Sequence, residues 1–287
     1  NGQLIETMAK LARQAGRAIP SSALNVEKHG YRAMIPGDHL QFLYHFWLTA
    51  DTAAGGTPWF ANVYEFNLGS DADRRAPSTY YLPFSAFFTL GYALGGHAAG
   101  WNLTSLMTIW LVYYFTRLLV RRYTPDRRLA AGLALIGILL PYQWITLLDG
   151  SPTGLAMLWV PLIAWALDIA VAERKIWAGA VAGAGLYLTE WGDTHVFFFT
   201  VLAAPAWCLF SFLFHYAGRR PTAAEWRGLV RAALPIAAWM ALVFFQSWEI
   251  SHELKEKTIG ATGRSLHEVA LRSPSLSGAV RLVNPGD

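Results

Sequence analysis

The side chains that could do chemistry sit in a few short stretches of an otherwise apolar chain. In "PGDHLQFLYHFW" (36–47), Asp38 follows a Pro-Gly turn and His45 comes seven residues later. At about 100° per residue the two fall within roughly 20° of one another on a helix, about 10 Å apart along its axis. They are too distant to bond, yet placed to line one groove, with the carboxylate as general base and the imidazole as a substrate ligand. Asp38 with Gln41 equally fits a helix cap and its N3 partner. Asp51 lies nearly opposite on a continuous helix and fits the end of that helix before "AAGG".

"TPWFANVYEFN" (57–67) offers Trp59, Asn62 and Glu65. Rings and amides of this kind hold sugars, and rings also anchor at the headgroup level of a bilayer. Glu65 is a candidate ligand-site or metal carboxylate. In "TEWGDTH" (189–195), Glu190 and Asp193 bracket a Trp-Gly pair and His195 opens the next apolar run. Two carboxylates with a histidine suit a divalent cation such as Mg2+ or Mn2+. Glu190 and Asp193 are therefore candidate metal ligands, and His195 a candidate substrate ligand. The spacing is not a specific metal signature, and Asp193 with Thr194 also fits a helix cap. Asp149, in "LDGSP", fits a turn and has a second candidate role in orienting a substrate. Asp168, one turn before Glu173, is expected to pair with Arg174 or to snorkel. No phosphate loop, dinucleotide fingerprint, zinc-finger spacing or H-E-x-x-H occurs, so nucleotide-driven chemistry has no motif in this chain.

The elements that must position these groups follow from composition. Apolar residues make up 54% of the chain and Asp, Glu, Lys and Arg 15%, where a soluble domain carries about 25% charged residues. The single cysteine, Cys208, cannot form an internal disulfide. The net charge of +4 does not point to nucleic acid, because the arginines gather at segment ends. Apolar segments run at 80–96, 101–119, 129–148, 153–171, 176–189, 194–216 and 229–248, and a spanning helix needs about 20 residues. Segment 80–96 is short and glycine-rich, and residues 1–18 have the stripe of a short interfacial helix.

The breaks alternate in charge. "RLLVRRYTPDRR" (117–128), "ERK" (173–175) and "GRRPTAAEWRGLVR" (218–231) are net basic, whereas 148–152 and 189–195 contain no Lys or Arg. Positive-inside sorting puts the basic breaks in the cytoplasm and the acidic ones outside. The fold expected is an all-α polytopic membrane protein. Residues 1–80 form an extracytoplasmic segment with interfacial helices and the acidic loop. Residues 81–248 form the bundle, with about six crossings and one partly embedded segment. Residues 249–287 form an extracytoplasmic tail, taken as incomplete. Asp38, Glu65, Asp149, Glu190, Asp193 and His195 then share one membrane face.

The order "GDHLQFLYHFW", "GGTPWFANVYEFN", "YYLPFSAFFTLGYALGG", then "WNLTSLMTIWLVYYFTRLLVRRYTPDRRLAAGLALIGILLPYQWITLLDGSP" resembles the GT-C superfamily of integral-membrane glycosyltransferases, and within it the bacterial branch related to YfhO. The resemblance covers about residues 36–216. It implies a GT-C-like helix bundle with outward juxtamembrane amphipathic helices at 39–53 and 80–96, resident in the bacterial cytoplasmic membrane. It also implies a polyprenyl-phosphate-linked sugar as donor, used on the extracytoplasmic side. The acceptor is a hydroxyl of a glycan, lipid or protein. Asp38 matches the position of the essential acidic residue in the family's first outward loop. The transmembrane helix that precedes that loop in the family has no counterpart in residues 1–30. Membrane lipids and other membrane proteins are the remaining expected partners. Two other classes stay open: a noncatalytic membrane scaffold, and a lipid or polyol carrier, which asks for ionisable groups deep within several helices.

Overall fold

The computed structural model describes residues 39–59, 81–148 and 151–257. Every regular element among them is an α-helix: α1 His39–Ala53, α2 Phe84–Val120, α3 Arg127–Leu139, α4 Pro141–Leu148, α5 Pro152–Ala156, α6 Trp159–Ala172, α7 Ile176–Gly192, α8 Thr194–Tyr216 and α9 Ala223–Lys257. Among the described residues four stretches are long and apolar enough to cross a membrane: Phe84–Val120, Pro152–Ala172, Thr194–Tyr216 and Ala223–Glu249.

The first of these is two helices joined by a reversal. Gly95 and Gly96 leave helical geometry, and Gly96 adopts φ 75°, ψ −164°, a conformation that only glycine enters without strain. The chain doubles back there. A Cβ on Gly91 would lie 2.6 Å from the carbonyl oxygen of Ala99, and one on Gly100 would lie 2.8 Å from the Phe88 ring. Further along the hairpin the Thr104 hydroxyl reaches the carbonyl of Phe84 at 3.4 Å. Segment 80–96 is thus the short arm of a helical hairpin whose long arm runs on to Val120.

Two expected segments look different once folded. The run 129–148 is not one helix: Leu140 is extended, at φ −59°, ψ 122°, between the 13 residues of α3 and the 8 of α4. Pro141 accounts for the break, since its ring excludes the residue before it from helical geometry. α7 is continuous over 17 residues, about 25 Å at 1.5 Å per residue. α9 continues past Trp248 to Lys257.

α6 is the hub. Of the most apolar stretch within Pro152–Ala172, which runs from α5 through α6, 56% is buried, against 17% for α2, 17% for α8 and 11% for α9. α6 packs on α2, α7 and α8, while α7 packs in turn on α9. The α7–α9 seam is built on small residues. A Cβ on Gly179 would fall 1.8 Å from the carbonyl oxygen of Ala232, so the two backbones are in contact. The outward faces of α2, α8 and α9 carry exposed large apolar residues such as Leu106, Phe199 and Phe244, the pattern of helices whose solvent is lipid.

The 39–53 helix docks on the bundle through one face. Its buried stripe is Phe42, Phe46, Thr49 and Ala50, and Phe46 is fully enclosed against Phe88 and Trp101. Leu43 and Trp47 are half-buried beside that core. The physical reason is ring size: Phe42 and Phe46, one turn apart, have the aromatic hairpin to pack on, so α1 is docked against α2.

Candidate functional site

Three of the residues singled out by chemistry, Glu190, Asp193 and His195, meet at one end of the bundle, where α7 hands over to α8. Asp193 explains the handover. Its Oδ1 accepts the backbone N–H of His195 at 2.6 Å and of Val196 at 3.1 Å, capping α8. Its Oδ2 accepts the hydroxyl of Thr153 in the first turn of α5. One carboxylate therefore caps one helix and ties it to another. Next to Thr153, the carbonyl of Gly154 accepts the amide of Gln143 at 2.8 Å, which adds α4 to the same cluster. Gly154 has no room for a side chain, because a Cβ there would lie 2.4 Å from the backbone nitrogen of Leu147. Gly192 sits beside Phe84, with a hypothetical Cβ 3.6 Å from that ring. The mouth of the α2 hairpin is thus at this end too.

Glu190 stands apart within the cluster. It lies past the apolar stretch of α7, half-buried, and its Oε2 is sealed from solvent with no hydrogen-bond partner. Burial, and then the neighbouring negative charge of Asp193, push its carboxyl above the ordinary range. Gln143 Oε1 and Trp159 Nε1 are likewise buried without partners. His195 turns outward, its side chain 87% exposed, with Nδ1 3.4 Å from Asp193 Oδ1.

The α1 residues occupy the neighbouring surface. His45 packs its ring on Tyr44 and on Tyr81, at 5.5 and 5.4 Å between centroids. Asp51 ends its helix as expected: its carboxylate accepts the hydroxyl of Thr57 and its carbonyl accepts the N–H of Gly56 at 2.9 Å. Trp59 is exposed. Asp38, Asn62, Glu65 and Asp149 lie outside the described residues. Of the residues singled out, the structure brings Glu190, Asp193 and His195 together, with His45 on a separate helix.

As a metal site this end offers little on its own. No group of three or more His, Cys, Asp and Glu side chains gathers among the described residues. Both oxygens of Asp193 already hold protein donors. The open carboxylate oxygen is that of Glu190.

The opposite end holds a constellation that the sequence did not reveal. Asp168 is completely buried. Its Oδ2 accepts Arg122 Nε at 2.7 Å, and its Oδ1 receives Tyr123 at 2.7 Å and Ser211 at 2.6 Å and lies 2.9 Å from His215 Nε2. The expected pairing with Arg174 does not form, because Arg174 points to Glu225 at 3.0 Å and to the Tyr216 hydroxyl at 3.2 Å. Arg122 also reaches Glu173. Burial, followed by the bond to Asp168, pushes the Tyr123 phenol up. The bond from Lys175 leads in holding Glu173 below the usual carboxylate range, and Arg122 adds to it against partial burial. The sequence signal that could have found this cluster is Ser211 and His215, one turn apart in an otherwise apolar run.

Comparison with known protein families, with curated proteins and with solved structures finds no match to this chain.

Proposed function

We propose that the protein is a membrane glycosyltransferase of GT-C type. It transfers a sugar from a polyprenyl-phosphate-linked donor to a hydroxyl acceptor at the acidic end of the bundle, outside the bacterial cytoplasmic membrane. The observation that carries this reading is Glu190: a half-buried carboxylate with an unpartnered oxygen and raised proton affinity, at the end shared by the cluster around Asp193. A group in that state accepts a proton or a ligand hydroxyl, as transfer to an alcohol requires.

In the proposed reaction the acceptor oxygen bonds to the anomeric carbon as the bond from that carbon to the donor phosphate breaks. The acceptor proton passes to a carboxylate, with Asp38 as the candidate base. His45, Trp59, Asn62, Glu65, Asp149 and His195 are the candidate sugar and acceptor contacts. With both oxygens of Asp193 taken, Glu190 would hold a Mg2+ or Mn2+ ion through its unpartnered oxygen, and such an ion would supply positive charge for the departing phosphate. The donor's prenyl chain remains among the exposed apolar faces of the helices. A carrier reading asks for ionisable groups along the helix centres, whereas the described carboxylates of α6 and α7 lie near the helix ends, Asp168 at one and Glu190 at the other.

The test is sugar transfer by protein purified with native lipids, over a panel of polyprenyl-phosphate donors. Removing a general base lowers the rate about 10²–10⁴-fold. Asp38→Asn is expected to fall in that range with its thermal midpoint unchanged. Equal transfer by wild type and variant removes Asp38 from the role.

A further inference from the structure

α2 and α3 form an antiparallel pair, so close that a Cβ on Gly137 would lie 2.7 Å from the Thr116 hydroxyl. Their connection brings Arg121, just past α2, and Arg127 and Arg128, in the first turn of α3, to one end of the pair. All three are exposed. Among the described residues none of them makes an ion pair, since Arg122 alone from this connection engages Asp168 and Glu173. Asp126 uses its Oδ1 on the backbone N–H groups of Arg128 and Leu129. One turn before Arg121 on the same face, Arg117 has its Nε sealed from solvent with no acceptor.

Two cations in the first turn of a helix oppose its dipole, which favours negative charge there. A bound anion offsets that cost. The chemistry of the anion follows from what lies below. On α2 the exposed residues Leu106, Trp110 and Tyr114 step by four toward the Arg117–Arg121 face, with Trp110 and Tyr114 stacked at 5.4 Å. On α3 the exposed residues Leu135, Ile136 and Leu139 continue the stripe that begins at Arg128. Each helix thus carries an apolar track ending in guanidinium groups, which matches an acyl chain joined to a phosphate.

We propose that the α2–α3 connection is a headgroup site for an anionic phospholipid, with Arg121, Arg127 and Arg128 holding the phosphate and the two exposed stripes receiving the acyl chains. The inference rests on the bundle lying in a membrane and is independent of sugar transfer.

The experiment is native mass spectrometry of the full chain released from micelles containing phosphatidylglycerol or phosphatidylcholine. Wild type is expected to retain phosphatidylglycerol in preference. Arg121→Gln/Arg127→Gln/Arg128→Gln is expected to weaken that binding roughly a hundredfold. Arg220→Gln/Arg227→Gln/Arg231→Gln removes the same charge from exposed arginines of the 218–231 break and is expected to keep the preference. The single Arg121→Gln serves if the triple variant unfolds. Equal loss in both triple variants overturns the site in favour of net charge. Displacement of the lipid by inorganic phosphate overturns the lipid as its occupant. Equal retention of both lipids overturns the headgroup inference alone, and retention of neither overturns the membrane reading with it.

Discussion

Arg122 Nε lies 2.7 Å from Oδ2 of Asp168, a carboxylate with no exposed surface, and the two residues belong to chain segments 46 positions apart. The pair joins the end of α2 to α6, and Ser211 and His215 extend the junction to α8. Burying a carboxylate is costly unless every lone pair is used, and here Oδ1 and Oδ2 together meet four side chains. Asp168→Ala leaves those donors facing one another around a void. A loss of about 3 kcal/mol is expected, read as a lower thermal midpoint in detergent. Asp168→Asn keeps an acceptor for Tyr123 and Ser211 and is expected to fall between. A midpoint unchanged by Asp168→Ala would contradict the role of this junction.

The glycines of α7 and α3 separate packing from propensity. Gly179 has the backbone of Ala232 where a Cβ would sit, whereas Gly132 faces open space. Gly179→Val is expected to cost about 1–3 kcal/mol or more, because α7 and α9 must move apart. Gly132→Ala is expected to be tolerated. Comparable midpoints for the two variants would show that the α7–α9 seam is looser than the close approach implies.

Asp193 and Thr153 allow the cap and the tie to be measured apart. Asp193→Ala removes both and is expected to cost about 1–2 kcal/mol from the cap alone. Thr153→Val leaves the cap intact and breaks only the tie to α5. Asp193→Asn, a good capping residue, is expected to recover most of the stability. If Thr153→Val is as damaging as Asp193→Ala, the tie outweighs the cap.

Acid should weaken the basic end through Glu173. Its carboxyl is held below the ordinary range in the folded chain, so its contribution is present above the unfolded value, about pH 4.3. That contribution is lost as pH falls through the lower folded value. The thermal midpoint of wild type is expected to hold from neutral pH down to about pH 5 and to drop below about pH 4. Glu173→Gln is expected to start lower and to lose less on acidification. Parallel curves for the two proteins would remove Glu173 from this role.

Much of the layout was legible in the residue order. The apolar runs became helices, the "TEWGDTH" break became a helix junction, and Asp193 caps α8 as the Asp-Thr pair suggested. Asp51 ends α1 before the glycines. What stayed hidden depends on contacts between distant segments. Asp168 lies closer in sequence to Arg174 than to Arg122, and proximity along the chain pointed to the wrong partner. The buried face of α1 went to Phe42 and Phe46 because the hairpin opposite is aromatic, which helical periodicity alone does not encode. Glu190 and Asp193 were read as a like pair of metal ligands. The fold gives them different surroundings, one fully hydrogen-bonded and one with an open oxygen.

In the proposed function, transfer chemistry sits at the acidic end and the Asp168 junction only holds the bundle together. The most direct measurement is the sugar-transfer rate per folded molecule in reconstituted vesicles, for wild type, Glu190→Gln and Asp168→Asn with one donor panel. Transfer by wild type is expected, with a loss of about 10²-fold or more in Glu190→Gln, which removes the charge that would stabilise the departing phosphate, and a near-normal rate for the folded fraction of Asp168→Asn. A normal rate in Glu190→Gln, or a loss confined to Asp168→Asn, would contradict the proposed function.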